Sequence, residues 1–294
     1  MMAVTVATVT ATQRVSPGFQ RITFTTDPTF GGPGPVFDQR IKVVLPGASG
    51  PFRPEGSDWF DAWQRVPVEE RGAMRTYSIR AMEQSAEATR VVIDFALHES
   101  PEGSGPATRW ARAARVGDEV TLAGPHRDAP RLGVEFAPGG AERVVLAGDE
   151  TAAPAIARIL EDLPADARGA ALIEVDSAAD QLPIEAPEGM SVEWLPREGG
   201  EHGVRLIPSL LALVPGAAAA GEAGPDPDDI WETPTYSGLG EELAEAAPRS
   251  GTYWWIAGEA GVVARLRRAL VREHGIERSR VAFMGYWKRG RAME

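Results

Sequence analysis

Residues 142–163, ERVVLAGDETAAPAIARILEDL, decide the fold. An apolar run, Val144 to Ala147, ends in Gly148-Asp149-Glu150-Thr151, and a helical apolar period starts directly after it. A buried strand feeding a loop and then a helix is the repeating unit of parallel sheets. The alternation continues to the C-terminus. AALIEVD (170–176), SVEWLP (191–196), YWWIAGE (253–259) and RVAFMGYW (280–287) read as strands. VRLIPSLLALV (204–214) reads as a helix despite Pro208, and GVVARLRRALVREHG (261–275) as a helix closed by Gly275. Residues 131–294 are therefore expected to form an α/β domain on a mainly parallel sheet. The stretch 215–238, PGAAAAGEAGPDPDDIWETPTYSG, is rich in Ala, Gly, Pro and acid and reads as an irregular surface loop.

Residues 1–130 follow a period of two instead. AVTVATVTATQRV (3–15), FQRITFTT (19–26), RIKVVLP (40–46), MRTYSIR (74–80), TRVVIDFAL (89–97) and EVTLAG (119–124) read as strands. Gly/Pro-rich turns such as FGGPGPVF (30–37) and LPGASGPFRPEGS (45–57) separate several of them. Six short strands of this kind predict a small antiparallel barrel. One helix interrupts it, PATRWARAARVGD (106–118), with Pro106 in its first turn and Gly117 past its end. A barrel followed by an α/β domain is the layout of ferredoxin-reductase-like flavoenzymes, an analogy of fold and not yet of function.

Composition narrows the chemistry. The net charge is −12, which argues against a nucleic-acid backbone as partner while leaving room for a local basic pocket. With no cysteine there are no disulfides, thiolate nucleophiles or Cys-ligated iron–sulfur clusters. His98, His126, His202 and His274 lack metal-ligand spacing, so redox chemistry would come from an organic cofactor. The N-terminus MMAVTVATVT has no basic n-region, and no apolar stretch approaches membrane-span length. A cytoplasmic monomer with no membrane partner is expected.

Chemistry-bearing residues fall into ordered groups. Arg75-Thr76-Tyr77-Ser78-Ile79-Arg80 supplies a cation for phosphate, an aromatic for a ring system and a small hydroxyl, which are the needs of a flavin site. As a strand it turns Arg75, Tyr77 and Ile79 one way and Thr76, Ser78 and Arg80 the other. Asp94-Phe95-Ala96-Leu97-His98 precedes Gly105-Pro106-Ala107-Thr108, a glycine at a helix mouth where backbone amides and the helix dipole suit a pyrophosphate. Gly148-Asp149-Glu150-Thr151 stands where α/β sheets bind nucleotides, yet it lacks G-x-G-x-x-G and its two carboxylates repel phosphate. Asp149 and Glu150 would take hydroxyls there, or Thr151 would cap the helix. Ala257-Gly258-Glu259 repeats the arrangement at a second strand end. Gly285-Tyr286-Trp287-Lys288-Arg289-Gly290-Arg291 is aromatic and basic.

In order and register, RTYSIR, VIDFALH with GPATRWA, AGDETAAPAI, YWWIAGE and GYWKRG make the chain resemble the siderophore-interacting protein family of flavin-dependent ferric-siderophore reductases over nearly its whole length. The resemblance implies an FAD-binding barrel, a nicotinamide-domain-like α/β half, NAD(P)H as electron donor and a ferric siderophore as substrate, released as Fe(II). It implies FAD contacts at Arg75, Tyr77, Ser78, His98, Gly105, Ala107 and Thr108, with Arg80 beside them, and a nicotinamide or substrate role for Asp149, Glu150, Thr151 and Glu259. Where family members carry Gly after the histidine, this chain has Glu99-Ser100-Pro101, and its 215–238 loop is longer. The alternatives are a flavin reductase of this fold acting on another acceptor, or a non-enzymatic flavin or siderophore carrier. For an anionic siderophore the expected cations are the chain's two lysines, Lys42 and Lys288, together with Arg127, meeting at an interdomain cleft; Arg53 and Arg289 come next.

Overall fold

The computed structural model describes residues 2–53, 56, 58–98, 104–129, 132–214, 231–233, 236–237 and 251–290. They form two compact units that divide between Val134 and Glu135.

The first unit runs β1 (Met2–Ser16), β2 (Phe19–Thr26), β3 (Arg40–Val44), α1 (Trp59–Arg65), β4 (Met74–Ser78), β5 (Ala81–Gln84), β6 (Thr89–Ala96), α2 (Pro106–Ala113) and β7 (Glu119–Pro125). Its strands form one sheet in the order β4-β3-β7-β1-β2-β6-β5, antiparallel throughout. The period of two turns Ile22, Phe24, Val91, Ile93, Phe95, Val120 and Leu122 into a common core, all at 0% exposure. The sheet curls until its two edges are joined. Ile79 N donates to Gln39 O beside β3 at 2.9 Å, and Arg80 N to Val92 O in β6 at 2.8 Å. That corner corrects the strand reading of MRTYSIR. Ser78 and Ile79 are both buried, which a pleated strand with one solvated face does not allow. β4 ends at Ser78, and the chain turns to form β5, a seventh strand where six were expected. Helix α1 was not expected either. At seven residues it is too short for periodicity to declare, and it exists by packing Trp59 against Val44, Met74 and Ala123 on the outside of the barrel.

The second unit runs β8 (Arg143–Gly148), α3 (Ala153–Asp162), β9 (Gly169–Val175), β10 (Met190–Pro196), α4 (Leu206–Leu211), β11 (Trp231–Thr233), β12 (Tyr236–Ser237), β13 (Thr252–Glu259), α5 (Ala260–Arg267) and β14 (Val281–Trp287). The sheet order is β10-β9-β8-β13-β14-β11-β12. The first five are parallel, and β11 and β12 add antiparallel to the edge. β11 and β12 lie inside the stretch read as a loop; the rest of 215–230 and of 234–238 lies outside the described residues. Glu232 of β11 is buried and bound by Arg267 at 2.8 Å and Arg278 at 2.6 Å, so ion pairs from distant segments hold this strand. Pro208 falls in the first turn of α4, where a missing N–H costs nothing. Helix α5 passes into a π-helical turn, Arg268–Glu273. No described helix is long and apolar enough to cross a membrane.

The chain moves from β8 outward to β9 and β10, then returns to lay β13 on the other side of β8. The carboxyl ends of β8 and β13 therefore flank a topological switch point, the place where open α/β sheets hold ligands.

Candidate functional site

In the barrel, aromatic packing brings β4, β6 and α2 together. The Tyr77 ring lies 4.4 Å from Phe95, and Phe95 lies 5.8 Å from Trp110 on α2. Tyr77 is half-buried, and burial raises its phenol above the ordinary value, leaving a neutral hydroxyl. Arg75, on the same strand, donates to the Met74 carbonyl at 2.7 Å. Helix α2 starts at Gly105 (φ −61°, ψ 164°) with Pro106 in its first turn. The N-cap residue has no side chain to accept from the first amides, and the first turn holds no acid. A Cβ on Gly105 would meet nothing within 4 Å. A helix start whose N-cap brings no side chain and leaves open space suits a pyrophosphate, and Arg75 on β4 adds a cation to the set, so these residues fit FAD. Ala107 and Thr108 face inward at 9% and 7% exposure. His98 follows the end of β6, whose next amide, Leu97 N, is tied to Gly18 O at 2.8 Å.

Arg80 goes elsewhere. Its guanidinium lies 3.9 Å from Asp94, which Arg21 holds with two bonds of 2.7 Å. Phe95 faces the core and Asp94 the outside, so Arg80 serves the outer face of the sheet. There it lines a cleft of about 430 Å³ with Arg21, Arg90, Thr12 and Gln13.

At the switch point the carboxylates are occupied by the chain itself. Asp149 is 3% exposed. Its Oδ1 accepts from Thr151 N at 2.9 Å and Thr151 Oγ1 at 2.5 Å; its Oδ2 accepts from Glu259 N at 2.7 Å and Trp287 Nε1 at 2.9 Å. Burial, and then Glu150, push its pKa upward, against the pull of these donors. Thr151 thus does not cap α3, whose N-cap is Ala152. Glu150 forms a buried two-bond pair with Arg197, at 2.7 and 3.1 Å. Glu259 caps its own helix, accepting from Val262 N at 3.0 Å. Sequence reasoning did not single out Arg197, Glu174 or His202. Glu174, at 0% exposure, accepts from Gly203 N, Arg205 N and Leu206 N at 2.7–2.9 Å, and so caps α4. One acid in the otherwise apolar strand AALIEV was the available signal. His202 meets Trp287 edge-on at 4.9 Å, and burial, then Arg197, depress its pKa, which keeps the ring neutral at neutral pH.

The proposed substrate cations are spread over both units. Lys42 Nζ donates to Thr76 Oγ1 across the β3–β4 pair at 2.8 Å, and burial, then Arg40, lower its pKa. Arg127 follows β7 and donates to the Ser85 carbonyl at 2.7 Å. Lys288 follows β14 in the second unit. Arg53 pairs with Glu119 at 2.8 Å, and the Arg289 amide lies 3.4 Å from Glu259.

Residues 8–129 match the siderophore-interacting FAD-binding domain, and residues 141–290 match siderophore-interacting protein. The ferric vibriobactin reductase ViuB of Vibrio cholerae is 31% identical over 286 residues, 95% of this chain and 88% of the relative. The NADPH-dependent ferric-chelate reductase of Escherichia coli is 27% identical over 288 residues, 95% of this chain and 91% of the relative. The crystal structure of a siderophore utilization protein from T. fusca superposes with a TM-score of 0.70 at 27% identity, covering 99% of this chain and 95% of that one.

Proposed function

The chain belongs to the siderophore-interacting protein family, and from that premise we propose that it is an FAD-dependent oxidoreductase that reduces a ferric siderophore with electrons from NAD(P)H. The carrying observation is the near full-length likeness to a ferric vibriobactin reductase, which spans both units and not the cofactor half alone. The name of the E. coli relative supports a nicotinamide donor.

Bound FAD supplies the exchange between a two-electron hydride donor and single-electron delivery to Fe(III). The chain's residues do the rest. Arg75 and the amides of Gly105, Ala107 and Thr108 would hold the pyrophosphate, with charge and dipole acting together. Tyr77, braced by Phe95, would offer a neutral aromatic surface for the ring system, with Ser78 following it at the end of β4 and His98 past the end of β6. Lys42, Arg127 and Lys288 supply positive charge for an anionic chelate on a chain of net charge −12. Release needs no acid or base from the protein, because Fe(II) is a softer and weaker partner for hard oxygen ligands than Fe(III).

The test measures NAD(P)H oxidation by the flavin-loaded protein with and without a ferric siderophore, in the presence of a coloured Fe(II) trap. Donor oxidation matched by trapped Fe(II) is expected. Oxidation without Fe(II) assigns another acceptor, and no oxidation assigns a carrier.

A further inference from the structure

We propose that Asp149 is an internal anion standing where a dinucleotide's pyrophosphate would sit, so that the switch point rejects phosphate and the electron donor is recognised through its dihydronicotinamide riboside end. The second clause rests on the donor reading above; the first does not.

The Thr151 amide lies in the turn after β8, and the Glu259 amide belongs to the last residue of β13, the N-cap of α5; these two strands flank the switch point. In a phosphate-binding α/β sheet such amides face the ligand. Here both donate to one carboxylate, and the Thr151 hydroxyl and the Trp287 indole complete its four acceptor positions. The adjoining backbone is shaped around this group. Gly258 has φ +144°, and a Cβ there would come 2.7 Å from Asp149 Oδ2. The other anion-binding amides nearby are also taken, those of α4 by Glu174 and that of Val262 by Glu259. The buried cation, Arg197, is matched by Glu150. The void among Asp149, Glu174, His202, Gly258 and Glu259 is too narrow to admit a water molecule. A phosphate arriving here would find the Thr151 and Glu259 amides already taken and four carboxylates around it. The dihydronicotinamide riboside end is uncharged and needs only hydroxyl and amide contacts.

The experiment has two arms on the full-length, flavin-loaded protein. Calorimetry with ADP-ribose, which carries the pyrophosphate and no nicotinamide, is expected to show no binding up to millimolar concentration. Stopped-flow flavin reduction is expected to give kcat/KM values within about tenfold for reduced nicotinamide mononucleotide, NADH and NADPH. Micromolar ADP-ribose binding, or an advantage of more than about a hundredfold for either dinucleotide, overturns the proposal. If none of the three donors reduces the flavin while the dithionite-reduced protein still delivers Fe(II), the donor reading and the second clause fail, and the calorimetric arm alone decides the first. An Asp149→Gly variant, checked for folding by circular dichroism, is expected to gain ADP-ribose binding by freeing both amides. A folded variant that gains none counts against the assignment of Asp149.

Discussion

Helix α2 of the barrel and helix α5 of the α/β unit begin in opposite ways. At α2 the N-cap is Gly105, which has no side chain to accept from the first amides, and no acid stands in the first turn. At α5 the N-cap is Glu259, whose own carboxylate accepts from Val262 N. The contrast extends through the second unit, where Glu174 closes α4 and Asp149 closes the turn before α3. A helix start favours an anion whatever its source. Where the chain leaves that position open, a ligand's phosphate completes the structure and affinity is gained. Where the chain fills it, the same amides contribute to stability. On the proposed reading, the two units have the same kind of local geometry and use it for different ends.

The contrast predicts that damage to the two units separates cleanly. Arg197→Ala strips the partner from buried Glu150 and leaves Glu174 without its nearby cation. It is expected to cost about 3–5 kcal/mol of stability in urea unfolding, with flavin affinity of the folded fraction unchanged. A loss of flavin affinity at full stability would dissolve the distinction. Arg75→Ala is the reverse case. It removes a charge-assisted phosphate contact worth roughly 1.5–3 kcal/mol and is expected to weaken FAD by ~10- to 150-fold in fluorescence titration, with the melting temperature of the apoprotein unmoved. Retained affinity would make Arg75 a plain strand residue.

Gly105→Asp sharpens the comparison by giving α2 the start that α5 has. The site has room for the side chain, since the Cβ meets nothing within 4 Å. Apoprotein stability should rise by a few tenths of a kcal/mol as the new cap forms. FAD affinity should fall by about 1 kcal/mol as the carboxylate competes for the amides and repels the pyrophosphate. Changes of the same sign would refute the idea that cap and ligand contend for one position. The smallest effect concerns Lys42. Its positive charge is present below its pKa and lost above it, and burial with Arg40 places that pKa below the ordinary lysine value. KM for an anionic ferric siderophore should therefore begin to rise at a lower pH than a surface lysine would produce. Lys42→Arg should remove that alkaline limb, and a limb that survives the change belongs to another group.

The change of apolar period near residue 130 was legible because it depends on neighbours in sequence alone. Val144 to Ala147 are buried whichever strand lies beside them, and the alternation in FQRITFTT needs only one wet face. The residues proposed for the flavin could be grouped for a similar reason: Arg75, Tyr77 and Ser78 share one strand, and Gly105 to Thr108 one helix start. What escaped depends on distant partners. β11 is a strand because β14 offers an edge and because Arg267 and Arg278 meet Glu232. The corner at Ile79–Arg80 exists because Gln39 and Val92 stand ready to accept its amides.

The sequence by itself determined that a barrel precedes an α/β sheet and that the chemistry belongs to an organic cofactor. Periodicity, composition and local spacing are properties of neighbouring residues, and they suffice for that much. Only the tertiary structure decided what Asp149 and Glu150 do. Read in sequence, they were free carboxylates at a nucleotide site. In the fold, Glu259 and Trp287, 110 and 138 residues away, deliver donors to Asp149, and Arg197, 47 residues away, closes on Glu150. Whether a carboxylate awaits a ligand or already has one depends on which donors surround it in space, and spacing along the chain does not carry that information.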